Sequence, residues 1–513
     1  MKEGGRNLKL DYKTYAEAAK KFTYSERWEV FSGNRDSFNI AYECVDRHPK
    51  EKIAVRLQFA HGGRETYTFA ELSRLTAQFA GMLEDRGIGR GDRVAIILNP
   101  SLEFYAAFFG TLKKGAVAVP CFTLFGPEAI EFRVKNSGAR MMVTNKEKAS
   151  IIKRDMVEHL IIDEELPRIL HGYNGTYTVN TAANDLAVIQ FSSGTTGSPK
   201  PVYYNHIAAT LTAVNIKFCI GLREDDNYFC PSSPAWGHGI WYGTVGPLIF
   251  GNAIGAYSGK FEAETLLGAL EHFETTNISA APLVYRRIMT SGKFDHRKLK
   301  SLRRMTFSGG ATDMDTIQYF RNRSGIFPQS FYGSTEVGVI VLDYAFADYE
   351  ARPGSMGKAM LGIKAGIIDE NGNELPPGQR GQMAVWRNGK WVGVGDIAFM
   401  DEDGYFWHVG RSDDIIISAG YTIGPFEIEE VLEKHPAVVR AAVVGVPDKE
   451  RGEVVKAFIV PNREPGEDLM QDIQEFVKTQ LSKHEYPRKI EFVDQLPETP
   501  DGKIKRKELK RRG

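Results

Sequence analysis

Short apolar runs alternate with amphipathic segments of helical period along this chain. That rhythm restricts it to architectures in which helices pack on largely parallel sheets. The strongest helix pattern spans residues 68–86: Thr68 and Glu71 form a capping-box pair, and Leu72, Leu75, Phe79 and Leu83 share one face. The glycine-rich stretch 87–91 breaks it. Residues 93–98 then read as a strand, 101–112 as a helix, and 116–119 and 141–144 as strands. The same rhythm continues through the apolar runs 249–257, 278–281 and 305–308. No repeat of solenoid period interrupts it. The predicted fold class is α/β.

With 513 residues the chain exceeds a common single domain. The best boundary lies near Arg411. Residues 401–408 read as a hairpin turn between short strands. Beyond the boundary the pattern restarts with strand 414–418, helix 425–434 with Pro425 in its first turn, strand 438–446 and helix 468–481. The expected organisation is a large domain over 1–411, with layered mixed sheets and helices, and a small α+β domain over 412–513.

Bulk charge excludes some partners. Lys+Arg and Asp+Glu both number 65, which opposes binding to nucleic acid or to an acidic membrane surface. Cys44, Cys121, Cys219 and Cys230 show no C-x-x-C spacing, which argues against a zinc site or disulfide framework and fits a reducing cytosol. The polar N-terminus lacks an apolar signal core, and no apolar run reaches spanning length. A cytoplasmic protein is expected.

The chemistry concentrates after residues 186–190, an apolar run that reads as a buried strand. Ser192, Ser193, Gly194, Thr195, Thr196, Gly197, Ser198, Pro199 and Lys200 follow it directly. Glycines let backbone N–H groups turn toward an anion, and hydroxyls and a lysine add donors and charge. The spacing is not that of a Walker loop, which needs four residues between its glycines and Ser or Thr after Lys; here two separate Gly194 from Gly197, and Pro201 follows Lys200. The loop reads as a grip for nucleotide phosphates, against the blander reading of a turn.

Five motifs occur in order: 192–200, Tyr332-Gly333-Ser334-Thr335-Glu336, Gly395-Asp396, Gly410-Arg411-Ser412-Asp413-Asp414 and Gly502-Lys503-Ile504. Together the chain resembles the adenylate-forming superfamily of acyl-CoA synthetases, adenylation domains and luciferases over nearly its whole length. Residues 38–41, 418–425 and 486–492 are most similar to the medium-chain acyl-CoA synthetase group. The resemblance implies a large N-terminal AMP-binding domain, a hinge at Asp413 and a mobile C-terminal lid with a catalytic lysine. It implies an ATP-dependent, AMP-forming carboxylate–CoA ligase whose substrates are ATP, coenzyme A and a medium-chain, branched or aromatic/cyclic acid.

Residue by residue, the resemblance implies that the 192–200 loop holds the β- and γ-phosphates, Thr335 meets the α-phosphate and Glu336 binds Mg²⁺, which prefers carboxylate and phosphate oxygens. Asp396 would accept both ribose hydroxyls and Arg411 reach the ribose or phosphates. Adenine would lie near Gly309, Gly310, Ala311 and Tyr332. Lys503 is implied as the adenylation lysine, in contrast to a solvated basic tail. An acyl wall is expected from residues 234–242, above all Trp236 and His238, with Gly309, Gly333, Val337 and Gly338. Ser418, Ala419, Gly420 and Tyr421 would line the pantetheine channel. Arg451, Lys478, Tyr486 and Arg488 would meet the nucleotide end of CoA.

Two departures stand out. The family's aromatic-x-Thr-Gly-Asp is Val392-Gly393-Val394-Gly395-Asp396 here, and Gly310-Ala311-Thr312 replaces the commoner Gly-Glu-Pro. Two other readings remain: an enzyme loading a carrier-protein thiol, and a nucleotide-binding pseudo-enzyme. The sequence leaves open the identity of the acid and whether the chain forms a homo-oligomer.

Overall fold

The computed structural model describes residues 10–191, 199–310, 312–334, 337–412, 414–418, 421–448, 452–480, 486–499 and 503–512. Two compact units emerge. The first comprises Met1–Gly309, Asp315–Val339 and Asp343–Ala351, and the second Gly310–Met314, Ile340–Leu342 and Arg352–Gly513.

In the first unit one sheet orders its strands His159–Ile162, Ala139–Thr144, Arg93–Ile97, Val117–Pro120, Leu186–Phe191 and Pro201–Asn205. All pair in parallel except the last, which returns antiparallel along Leu186–Phe191. Helices of this unit begin where the chain supplies caps. Thr68 and Glu71 make the expected capping box at helix Phe69–Asp85. Ser101 Oγ accepts the Phe104 N–H at 3.1 Å ahead of helix Leu102–Lys114, and Gly115 ends that helix in the left-handed conformation.

A second set of strands, Tyr228–Phe229, Asn277–Ala280, Arg304–Phe307 and Pro328–Ser334, also runs parallel. Helices Ala263–His272 and Pro282–Ser291 are crossover elements between them, and Phe229, Leu266, Leu270, Ile278, Tyr285, Met305 and Phe320 fill the core beneath. In such sheets the carboxyl ends of the strands are where ligands bind, because side chains and backbone donors converge there.

The run 249–257 is strand only from Ile254 to Ser258. Pro247 opens a short helix, Gly246–Ile249, and Gly251, at φ +70°, turns the chain. Asn252 ties the turn by donating to the carbonyls of Arg223 at 2.9 Å and Asp226 at 3.2 Å. Hydrophobicity alone could not separate this helix–turn–strand sequence from one strand.

In the second unit, strands Ala365–Ile368, Gly381–Arg387, Lys390–Met400, Tyr405–Arg411 and Gly357–Ala359 follow one another in antiparallel order. Asn388 and Gly389, both at positive φ, close the Arg387–Lys390 hairpin as a two-residue turn. A further sheet contains Tyr421–Ile423, Ile416–Ser418, Gly452–Pro461 and Val438–Asp448, with Lys489–Phe492 parallel to Gly452–Pro461. Helices Pro425–Glu433 and Glu467–Gln480 pack on it through Ile428, Leu432, Leu469, Ile473 and Val477. Layered mixed sheets with helices, and a smaller C-terminal α+β portion, are thus the fold.

Candidate active site

The parallel strands of the first unit aim the predicted acyl-wall residues. Tyr228–Phe229 leads into the segment carrying Ser232, Trp236 and His238. Asn277–Ala280 carries Ser279, Arg304–Phe307 leads to Gly309, and Pro328–Ser334 carries Phe331, Tyr332, Gly333 and Ser334. The His238 ring stands edge-on to Trp236 at 5.3 Å and to Phe331 at 5.4 Å, and Phe331 meets Tyr242 at 4.9 Å. Such edge-to-face pairs favour one arrangement over a fluid one.

His238 is 4% exposed, and both its ring nitrogens are engaged: Nδ1 with Ser232 Oγ at 3.2 Å and Nε2 with Ser279 Oγ at 2.8 Å. Burial pushes its pKa down to about 3, so the imidazole is neutral. The ring therefore serves as a fixed wall. A direct bond from it to a substrate carboxylate would have to displace a serine.

Glycine is required at two places. Gly309 has φ +94°, and a Cβ there would lie 2.3 Å from the Trp236 ring. A Cβ on Gly333 would lie 2.1 Å from the Gly338 carbonyl oxygen. Gly338 itself has φ +72°, and Val337 before it is buried. Gly309 and Gly333 thus allow close approaches of the Trp236 ring and the Gly338 carbonyl. Of the Tyr332–Glu336 motif, Tyr332, Gly333 and Ser334 end the strand half-buried, whereas Thr335 and Glu336 lie outside the described residues.

The predicted phosphate loop joins two paired strands: Phe191 pairs with Pro201 and Gln190 with Val202. Residues 192–198, which include Ser192, Ser193, Gly194, Thr195, Thr196 and Gly197, lie outside the described residues, and Lys200 is exposed just beyond them. At the loop's base the buried Gln190 donates to the Ala235 carbonyl at 3.4 Å, linking it to the wall segment.

In the second unit Asp396 and Arg411 stand opposite each other on paired strands, with Arg411 Nη1 3.6 Å from the carboxylate. His408, two pairs along, brings Nε2 to 3.5 Å of the same oxygen. Asp396 is only 6% exposed, and the Arg411 guanidinium beside it offsets the cost of burying its charge. Gly395, at φ +79°, bends the strand, and Ser412 fastens the bend by donating its N–H and Oγ to the Gly395 carbonyl at 2.9 and 3.0 Å. Gly310 is exposed, and Ala311 lies outside the described residues.

Lys503 is exposed on a narrow hairpin. Glu498 pairs with Ile504, Thr499 N–H donates to the Lys503 carbonyl at 2.8 Å, and Lys503 N–H donates to Thr499 Oγ1 at 3.0 Å. Three of the predicted CoA residues also converge: the Lys478 ammonium lies 4.6 Å and the Arg488 guanidinium 5.0 Å from the Tyr486 ring centre. Ser418 is buried and pairs with Tyr421 and with Gly452, the neighbour of Arg451. Arg451, Ala419, Gly420 and Asp413 lie outside the described residues.

Sequence reasoning missed Ser232, Ser279, Phe331 and His408. Ser279 carried a signal, a hydroxyl inside an apolar strand, which needs a buried partner. The others meet the site only through topology.

Residues 42–393 match the family described as AMP-binding enzyme, and 427–503 the AMP-binding enzyme C-terminal domain. The chain is 34% identical to acetyl-coenzyme A synthetase of Bacillus subtilis (strain 168), over 99% of this chain and 96% of that protein. It is 33% identical to the mitochondrial acyl-coenzyme A synthetase ACSM3 of Rattus norvegicus, over 93% and 90%. Its fold is similar to that of the anthranilate CoA ligase AuaEII in complex with anthranoyl-AMP, with a TM-score of 0.85 and 27% identity over 96% of this chain and 99% of that one. The chain belongs to the AMP-binding enzyme family, the adenylate-forming enzymes, and within them is similar to the medium-chain acyl-CoA synthetases.

Proposed function

We propose that this protein activates an apolar carboxylic acid larger than acetate, of medium-chain, branched or aromatic type, and transfers its acyl group to coenzyme A. The enzyme class is that of the family: an ATP-dependent, AMP-forming acid–CoA ligase. The observation that carries the choice of acid is the aromatic wall of Trp236, His238, Tyr242 and Phe331, whose histidine is neutral and engaged by Ser232 and Ser279. Such a wall rewards apolar area, about 25 cal/mol per Å². The anthranoyl-AMP bound to the structurally similar ligase supports both the adenylate and a ring-sized acyl group.

A carboxylate oxygen attacks the α-phosphorus of ATP, the bond from that phosphorus to the bridging oxygen breaks, and pyrophosphate leaves. The Lys503 ammonium neutralises charge between carboxylate and α-phosphate without giving up its proton. Asp396 accepts the ribose hydroxyls, for which an acceptor-only group is required. Residues 192–200 would hold the phosphates, and Glu336 would hold a Mg²⁺ that screens their charge. The CoA thiolate then attacks the acyl carbon, and AMP departs with the electron pair of the broken C–O bond. Lys478, Tyr486 and Arg488 bind the nucleotide end of CoA. Rotation at Asp413 of a lid spanning 412–513 exchanges the lysine for the thiol channel between the half-reactions.

Thioester formation with acetate, octanoate, isobutyrate and benzoate tests the acid class. The expected result is a kcat/KM for one of the larger acids at least tenfold above acetate, the worth of about 1.4 kcal/mol of added apolar contact. Acetate as the best substrate would overturn it.

A further inference from the structure

Helix Pro425–Glu433 presents Glu429 and Glu433 one turn apart on one face. Each glutamate takes a backbone N–H of strand Val438–Asp448: Glu429 from Val443 at 2.7 Å, and Glu433 from Ala441 at 3.3 Å. Each also takes an arginine. Arg506 Nη2 lies 2.6 Å from both oxygens of Glu429, while Arg506 Nε donates to the Val443 carbonyl at 3.3 Å. Arg440 lies 3.3 Å from Glu433 and donates to Glu498 at 2.9 Å.

These arginines engage the two arms of one hairpin. Glu498 is on the arm entering the Lys503 turn and pairs with Ile504 on the arm leaving it, two residues before Arg506. Beyond Arg506, Leu509 is fully buried among Ala442, Val444, Val446 and Phe458 and seats the tail. Glu429 is 7% exposed. Burial pushes its carboxyl pKa up, and Arg506 and the Val443 N–H oppose that. Arg506 Nη1 also stands 3.8 Å from Asp414. A surface pair of this length would contribute little, but a buried one leaves an uncompensated charge when one partner is removed.

We propose that Arg506 and Glu429, seconded by Arg440 and Glu433, are positioning residues that hold the Lys503 hairpin in the register adenylation needs. The proposal rests on the reading of Lys503 as the adenylation lysine. In this role Arg506 acts through Lys503. A displacement of about 1 Å in a reacting charge costs about 10²-fold in rate. The effect falls on one half-reaction, because transfer to CoA does not use Lys503.

The test uses the full chain with Arg506→Ala, Arg506→Lys, Glu429→Gln and, alongside, Lys503→Ala. Acid-dependent exchange of pyrophosphate into ATP reads adenylation, and CoA-thioester formation from a supplied acyl-adenylate reads transfer. Thermal unfolding identifies any variant that fails to fold. For Arg506→Ala the expected result is an exchange kcat lowered about 10²-fold, with KM for ATP and the transfer rate changed less than about threefold. Arg506→Lys restores part of the exchange rate, because lysine keeps the charge but not the two-pronged fork. Glu429→Gln, which keeps the shape and loses the charge, carries the test if Arg506→Ala unfolds, and should lower exchange selectively too. Exchange near the parent rate in folded Arg506 and Glu429 variants, with Lys503→Ala inactive, would overturn the proposal and leave the lysine assignment standing. Equal loss of both half-reactions in folded Arg506→Lys would overturn it as well. Normal exchange in Lys503→Ala would remove the lysine assignment and this proposal with it.

Discussion

The wall around His238 is held by ring packing, with two serine hydroxyls fixing the histidine, whereas the hairpin that carries Lys503 is held by hydrogen bonds and ion pairs. In the wall, four aromatic rings touch edge to face, and a glycine at positive φ makes room for a tryptophan. At the hairpin, Thr499 fixes the backbone and the lysine side chain stands at the surface. On the proposed roles, the difference is one of task. A wall selects by shape, so a methyl group should change how tightly the acid binds. A presented charge acts on the transition state, so its loss should change rate and leave ground-state binding nearly intact.

The sharpest break of that contrast is Lys503→Ala. Adenylation should fall by about 10²–10³, the scale of losing one preorganised charge-stabilising donor. Transfer to CoA from a supplied acyl-adenylate should stay within about threefold. A matching loss in transfer would mean that Lys503 does not divide the two steps.

Asp396 lies between the extremes, a charge that is buried. Asp396→Asn should raise KM for ATP by about 10–100-fold, since hydrogen bonds to charged groups contribute about 1.5–3 kcal/mol. Initial-rate measurements over ATP concentration check this, and an unchanged KM would remove the ribose assignment.

In the wall, Gly309→Ala must resolve a 2.3 Å contact with Trp236 and a φ of +94°. It should cost roughly 1–3 kcal/mol of stability. It should also raise KM for the acid more than KM for ATP. Thermal unfolding and paired KM values read both, and equal rises in the two KM values would mean that the ring does not line the acyl pocket.

The smallest effect is that of pH on the wall. Burial lowers the pKa of His238 to about 3, below the ordinary value near 6.5. As pH falls below 6.5 the unfolded chain takes a proton that the folded chain refuses. The contribution is therefore complete above 6.5 and drains away between 6.5 and 3. Between pH 6.5 and 6 the loss should be about 0.4 kcal/mol from this histidine. Denaturant titrations at the two pH values, with His238→Gln as control, measure it; an identical slope in the variant would contradict the assignment.

What could be read from the sequence followed locality. The capping pair Thr68 and Glu71, the Pro425 helix start and the strand before the 192–200 loop are all encoded within a few residues, and all stand where expected. The run 249–257 misled because a Pro-initiated helical turn and a strand are equally apolar. Strand Gly452–Pro461 escaped because Glu453 and Lys456 interrupt its apolar pattern, although Lys456 bonds the Arg512 carbonyl at 3.2 Å and Glu491 at 2.8 Å. The same division runs through the site. Gly309, Asp396 and Lys503 lie in recognisable motifs. Ser279 comes to His238 across 41 residues, and Glu429 to Arg506 across 77, through pairings that no local spacing announces.

Pyrophosphate release from ATP, measured with an acid panel in the presence and absence of CoA, tests the central claim most directly. The account predicts sustained, acid-dependent release that requires CoA for turnover and yields AMP and a CoA thioester in equal amounts. A single burst unchanged by CoA, or no acid-dependent release at all, would contradict it.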